Sequence, residues 1–311
     1  MSTQLSQIAK KAKLDRKARF TSLAHLLTPD FLKETWGKMN RRAAGGVDGQ
    51  SAEQFGSELE TQVEAIRTQL KEGTYHAPPV RRVEIPKGPG KVGTRPLGIP
   101  TAADRLLQRA VARILEAVFE ADFLDCSHGF RPGRNPHHAL QALRVQIVTK
   151  KVGQVFEADI RSYFTRINHQ WLRKMVAHRI ADPVILGLIG KWLKAGAMQD
   201  GVVIYAEEGT PQGGPITPRT QKITSSLSGR PTLSDGLGTA NDTSPDLDVC
   251  LLQLYLYVIC APAVLNGRNA SIAPESCFSA VHHFPKLFNG SRRHVPCLPV
   301  RRIVISSTLS S

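Results

Sequence analysis

At Pro218 the chain changes character, and any fold it adopts must be assembled chiefly from what lies before that point. "GTPQGGPITP" gives way to "RTQKITSSLSG", and serine rises from 7 in the first 218 residues to 13 in the last 93. Four of the five cysteines (Cys250, Cys260, Cys277, Cys297, against Cys126) lie beyond the change, and lysine falls to Lys222 and Lys286. The stretch "SSLSGRPTLSDGLGTANDTSPD" is rich in turn formers and carries no sustained period, so irregular chain is expected there. The run 249–265, "VCLLQLYLYVICAPAVL", is apolar but interrupted by Gln253 and Pro262. It falls short of the roughly 20 residues a membrane span requires, and reads as an unselected hydrophobic stretch.

Charge separates the two parts as well. Of 41 Lys and Arg and 26 Asp and Glu, the tail holds 9 and 5, which leaves 32 and 21 before it, a net of +11 over residues 1–218. A basic body of this kind is expected to meet a polyanion, nucleic acid first. The opening "MSTQLSQIAKKAKLDRKARF" is polar and basic rather than leader-like. The absence of any C-x-x-C pair signals neither zinc nor a disulfide framework. A reducing, cytoplasmic setting is expected.

In the body, the Gly-rich loop "NRRAAGGVDGQS" leads to Ser51 and Gln54, a capping box. Phe55, Leu59, Val63, Ile66 and Leu70 then follow at helical spacing up to Gly73. "APPVRRVEIPKGPGKVGTRPLGIP" reads as a hairpin around a Gly/Lys-rich turn. Its Gly88-x-Gly90-x-x-Gly93 matches the dinucleotide fingerprint in letters only, because Arg95-Pro96 and more extended chain follow where that loop must enter a helix. Arg81, Arg82, Lys87, Lys91 and Arg95 surround the turn and suit phosphates. Thr101 and Asp104 open another capped helix, with Leu107, Val111, Ile114 and Val118 as its buried stripe. In "DCSHGFRPGRNPHHAL", Arg131 and Arg134 sit among Gly and Pro in a basic loop able to grip a backbone phosphate. His137 and His138 lack metal-ligand spacing.

The segment 153–172, "GQVFEADIRSYFTRINHQWL", alternates as a strand that presents Asp159 at its end, with Tyr163 and Phe164 next. A strand-end Asp either caps a helix or holds a metal. Farther on, Ile185, Leu188, Ile189, Trp192 and Leu193 share one helix face. "VVIYAEEGTPQGGPITP" then brings a strand into a loop where two adjacent glycines admit close backbone approach and Gln212 offers both a donor and an acceptor.

Taken in order, "AGGVDGQS", "RRVEIPKGPGKVGTRPLGIPTAADRLLQRAV", "HGFRPGRNPHHAL", "FEADIRSYFTRINH" and "EEGTPQGGPITP" resemble the reverse transcriptase of bacterial group II introns, the maturase type. The resemblance runs from about residue 36 to Pro218. It implies an α+β right-hand polymerase, with a basic N-terminal segment (1–35), fingers (36–150), a partial palm (151–218) and a tail (219–311) expected to be disordered. It further implies that Asp159 is catalytic and binds Mg2+ together with the Ile160 carbonyl. Arg81 and Lys87 would meet the incoming triphosphate, Tyr163 would gate against a ribose 2′-hydroxyl, and Gln212 would line the nucleotide pocket. Arg95, Arg131 and Arg134 would contact nucleic acid. The implied partners are intron RNA, primer-template and dNTP.

Two divalent ions need clustered carboxylates, because one Asp cannot hold two mutually repelling cations. The family places the others in an aromatic-Ala-Asp-Asp hairpin after the Pro-Gln-Gly-Gly-Pro loop. No Asp-Asp dipeptide occurs in these 311 residues, and Asp246-Leu-Asp248 lacks flanking strands. The apolar helix the family places after "GTPQGGPITP" is replaced by "RTQKITSSLSG", and Arg161 and Thr165 depart from the usual pattern. The expectation is a reading frame disrupted or joined to foreign sequence near codon 218, and a chain without polymerase activity.

Overall fold

The computed structural model describes residues 3–88, 92–150, 156–157, 167–205, 208–210, 213–227 and 304–305. It divides into two compact units, Met1–His138 with Ser162–Tyr255 and Ala139–Arg161 with Leu256–Ser311.

The first unit is organised around one long helix, α5 (Ala102–Phe119), whose Leu106, Leu107, Ala110, Val111, Ile114, Leu115 and Val118 are fully buried. The expected stripe is there, but apolar side chains also cover the flanks. Helices therefore contact α5 from several sides: α1 (Thr3–Leu14), α2 (Pro29–Gly37), α3 (Ala52–Ser57), α4 (Leu59–Glu72) and α9 (Thr217–Leu227).

Local chemistry explains where these helices start. Thr28 caps α2 by accepting from Phe31 N at 3.2 Å, with Pro29 in the first turn. Ser51 and Gln54 form the expected capping box. The helix expected to follow is broken at Glu58 into α3 and α4, and the latter stops at Gly73 with φ 72°. Asp182 serves two elements. Its Oδ1 accepts from Val184 N and Ile185 N at the start of α8 (Pro183–Lys194), and its Oδ2 accepts from Leu23 N (2.6 Å) and Ala24 N (2.8 Å) at a 3-10 turn.

A four-stranded sheet completes this unit in the order β2-β1-β4-β5. The expected hairpin is β1 (Val80–Pro86) antiparallel to β2 (Thr94–Ile99). Next to it, β4 (Ala197–Gln199) lies parallel to β1 and turns through Asp200-Gly201 into antiparallel β5 (Val202–Ile204). Asp200 and Gly201 have φ of 50° and 79°, as a two-residue hairpin with the right-handed strand twist demands. The helix α7 (His169–Ala177) begins at Asn168, which accepts from Gln170 N and Trp171 N.

The second unit contains most of α6 (Pro136–Lys150) and a short antiparallel ladder between β3 (Phe156–Glu157) and β6 (Val304–Ile305). Phe156 and Glu157 are therefore extended, as their alternation suggests. Among the described residues no helix is long and apolar enough to cross a membrane.

The change of character at Pro218 is not a change of structure. Helix α9 runs to Leu227 and buries Thr220 and Ile223. Ordered chain therefore continues nine residues past the boundary drawn from composition. Two of the tail's cations, Arg219 and Lys222, are themselves only 8% exposed.

Candidate nucleotide and nucleic-acid site

The hairpin places its cations by strand register. Arg81 pairs with Ile99, Val83 with Leu97 and Ile85 with Arg95, so alternation sets Arg81 and Arg95 on one face with Val83, Ile85, Leu97 and Ile99 between them. They stand four residues apart along the strand, about 13 Å at 3.3 Å per residue. Both are exposed. Lys87 follows just beyond β1, where its N–H donates to the Gly93 carbonyl at 3.0 Å and continues the ladder into the turn. Arg82 is on the opposite face and pairs with Glu84 at 3.0 Å. Among the described residues none of Arg81, Lys87 and Arg95 has a carboxylate within ion-pair distance.

The Pro-Gln-Gly-Gly-Pro loop lies against this same face. Gly213 has φ 120°, and a Cβ there would stand 2.4 Å from the Gly98 carbonyl oxygen and 2.8 Å from Leu97 Cδ1. Glycine is required twice over, by the conformation and by the close approach. A Cβ on Gly214 would stand 2.7 Å from Gln108 Oε1 of α5. The loop is thus seated between β2 and α5, and it brings the neighbourhood of Gln212 to the face that carries Arg81 and Arg95. Gln212, Asp159, Ile160 and Tyr163 themselves lie outside the described residues.

The glycines of "AGGVDGQS" anchor the other end of α5. A Cβ on Gly46 would meet Thr101 Cα and N at 2.6 Å. Arg105 Nη2 donates to the Ala44 and Pro100 carbonyls at 2.7 and 3.2 Å.

Asp104 carries the main surprise. Its N–H donates to Thr101 Oγ1 at 3.2 Å, as in the expected cap, yet its carboxylate turns inward and is 3% exposed. It accepts from the Tyr75 hydroxyl, from Trp192 Nε1 at 2.8 Å and from Gln108 Nε2 at 2.9 Å. Burial outweighs these three donors and raises the Asp104 pKa. The Tyr75 phenol is raised as well, first by burial and then by the Asp104 charge. Gln108 Oε1 is buried without a hydrogen-bond partner on the side that meets Gly214. The sequence signal was available, since three polar or amphipathic residues fall on otherwise apolar faces, but spacing alone does not pair residues 75, 104 and 192.

The two arginines of the "HGFRPGR" loop bind protein groups. Arg131 Nε donates to Glu120 Oε1 at 2.8 Å, and its Nη1 donates to the Leu124 and Ser127 carbonyls at 2.7 and 3.0 Å. Its side chain is 6% exposed. Arg134 reaches Asp125 Oδ1 at 3.3 Å. These contacts fold the loop back on itself, as expected of a rigid loop, and they occupy the donors that a phosphate would use.

The family profile described as Reverse transcriptase (RNA-dependent DNA polymerase) matches residues 85–230. Those residues belong to the reverse transcriptase family. The match covers the hairpin, α5, the basic loop and the Pro-Gln-Gly-Gly-Pro loop, and it ends beyond α9, so family resemblance extends past Pro218 as the ordered structure does. Protein YkfC of Escherichia coli (strain K12) is 37% identical over 225 residues, 70% of this chain and 58% of that protein. Group II intron-encoded protein LtrA of Lactococcus lactis subsp. cremoris is 35% identical over 220 residues, 70% of this chain and 36% of that protein. Nuclear intron maturase 1, mitochondrial, of Arabidopsis thaliana is 32% identical over 97 residues, 30% of this chain and 13% of that protein. The chain thus spans under two thirds of the length of the curated relatives it matches, and it is a partial reverse transcriptase domain of mixed helix and sheet with relatives of the group II intron and maturase kind. Reverse transcriptases act with divalent metal. Among the described residues no three His, Cys, Asp or Glu side chains gather as metal ligands.

Proposed function

We propose that this chain is the nucleic-acid-holding part of a group II intron reverse transcriptase, the fingers and the first part of the palm, and that it binds intron RNA without polymerising DNA on its own. The seating of the Pro-Gln-Gly-Gly-Pro loop on the Arg81/Arg95 face supports this reading best. It puts unpaired cations of the hairpin and the loop that bears Gln212 on one surface, the arrangement a triphosphate above a primer-template calls for. Arg81 and Lys87 would hold the triphosphate, Arg95 the backbone, and Tyr163 would crowd a ribose 2′-hydroxyl.

The donor set does not fit a pair of Mg2+ ions. Asp159 and the Ile160 carbonyl supply one carboxylate and one neutral oxygen, where bridging two cations requires several carboxylates. The 93 residues after Pro218 contain no Asp-Asp dipeptide. No catalytic step is assigned to this chain for that reason, and RNA binding is the activity it retains.

Filter binding of group II intron RNA across a salt series tests the reading. A protein that grips phosphates through the hairpin loses affinity linearly in the logarithm of salt concentration. Arg81→Ala with Arg95→Ala reduces that slope by roughly 2, near one unit for each phosphate released. Binding that is absent at low salt, or a slope that the double variant leaves unchanged, contradicts it.

A further inference from the structure

Phe130 is the most conspicuous residue that the proposed site leaves unused. Its side chain is 70% exposed, and its φ is 53°, in the left-handed region that bulky residues avoid. A strained, exposed aromatic persists only where its surroundings impose the geometry, and here they do. The Phe130 carbonyl accepts from Arg219 Nη1, and the carbonyl of the preceding Gly129 accepts from Lys222 Nζ. Both donors come from α9 and both are held in place: Arg219 pairs with Glu116 of α5 at 2.9 Å, and the Lys222 ammonium lies 5.1 Å from the Phe123 ring centroid. On the other side Arg131 fastens the loop to Glu120, Leu124 and Ser127. Arg131, Arg134, Arg219 and Lys222 meet only the carboxylates of Glu116, Glu120 and Asp125 in this loop's ion pairs, so the ring projects from a surface with a cationic surplus. Burial of the cations turns them into scaffold, and the ring is what the scaffold presents.

We infer that Phe130 is a stacking platform for one base of a single-stranded RNA, held outward by α9 through the Gly129 and Phe130 carbonyls. The inference rests on the RNA-binding reading above. It adds an interaction that is insensitive to phosphate charge and, because every base has a π-face, to sequence. It also gives the residues after Pro218 a task, since Arg219 and Lys222 hold the loop in shape.

Anisotropy of a fluorescein-labelled oligo(A) RNA, titrated with the full chain and with Phe130→Ala, Phe130→Gly and Phe130→Trp, tests it. The Ala and Gly variants are expected to bind about tenfold more weakly, the effect of losing one base–aromatic stack. Their salt slope stays that of the parent, because every phosphate keeps its cation. The Trp variant binds at least as well as the parent. Phe130→Gly also melts no lower than the parent, because glycine relieves the positive φ, and this separates lost binding from lost folding. If the parent binds RNA and the Ala variant binds equally well, the inference fails while the RNA-binding reading stands. If that variant instead changes self-association with RNA affinity unaltered, the ring covers a protein surface and the inference fails. A parent that binds no RNA overturns both.

Discussion

Arg179 ties the N-terminal helix to the body, and replacing it by Met should cost more than any other single change outside α5. Its side chain is 1% exposed and its partner Asp122 2%. Nη1 donates to both Asp122 oxygens at 3.1 and 3.0 Å and to the Arg16 carbonyl at 2.6 Å, while Nη2 donates to the Ala12 and Asp15 carbonyls at 3.2 and 3.3 Å. Its main chain adds a further tie, since Phe20 N donates to the Arg179 carbonyl at 2.8 Å. Arg179→Met leaves Asp122 as a buried charge without its cation, which costs about 3–5 kcal/mol, and removes donors from three carbonyls at the end of α1. With a urea m-value of roughly 2 kcal/mol/M, the unfolding midpoint falls by about 1.5–2.5 M. Replacing Asp122 by Leu in the same chain removes the stranded charge and recovers about 2 kcal/mol or more. Urea unfolding followed by circular dichroism measures all three proteins. Amide exchange in Thr3–Leu14 should accelerate in the Met variant. A loss under about 1 kcal/mol at unchanged m, or a double variant no more stable than the single one, would refute the argument that this ion pair fixes the N-terminal segment.

Two further outcomes follow from buried polar groups. Asp104→Asn should be tolerated within about 1.5 kcal/mol, because Gln108 can turn its amide so that its unpartnered Oε1 faces the new Asn donor. Asp104→Leu strands the Tyr75 and Trp192 donors and costs more, as thermal melting of the two variants will show. Lys222 gives a pH signature. Burial, ahead of repulsion from Arg131, lowers its pKa from 10.5 to about 8, so between those values the unfolded chain holds a proton that the folded chain has released, and stability rises with pH. Urea midpoints of the parent should therefore climb relative to Lys222→Met from pH 8 to 10.5, and parallel curves for the two would contradict the burial of that amine.

How much could be read in advance depended on how local each signal was. The hairpin, the Ser51 capping box, the Gly73 stop and the α8 stripe come from residues within a few positions of one another, and the structure has each of them. Asp104 was readable only as a cap partner, because its inward turn depends on Tyr75 and Trp192, which are distant in sequence. Arg131 and Arg134 showed the same limit from the other direction. A Gly/Pro-rich basic loop looks open to phosphates until Glu120 and Asp125 are brought beside it. Composition misplaced the boundary after Pro218 because Arg219, Lys222 and Ile223 are buried by α5, the basic loop and α7, neighbours that no local count of Ser or Lys reveals. The Arg81/Arg95 face was half legible: the alternation was in the strand, but the loop that covers it is seated by two glycines whose surroundings appear only in three dimensions.

The account turns on the claim that this reverse transcriptase domain holds nucleic acid without completing a catalytic palm. Primer extension on an RNA template with Mg2+ and dNTPs, run with the full chain and with Asp159→Ala, addresses it directly. The account predicts that neither protein extends the primer above background under conditions where the parent retains the template. Extension by the parent that disappears in Asp159→Ala would contradict it, and would mean that carboxylates elsewhere in the chain complete the metal site.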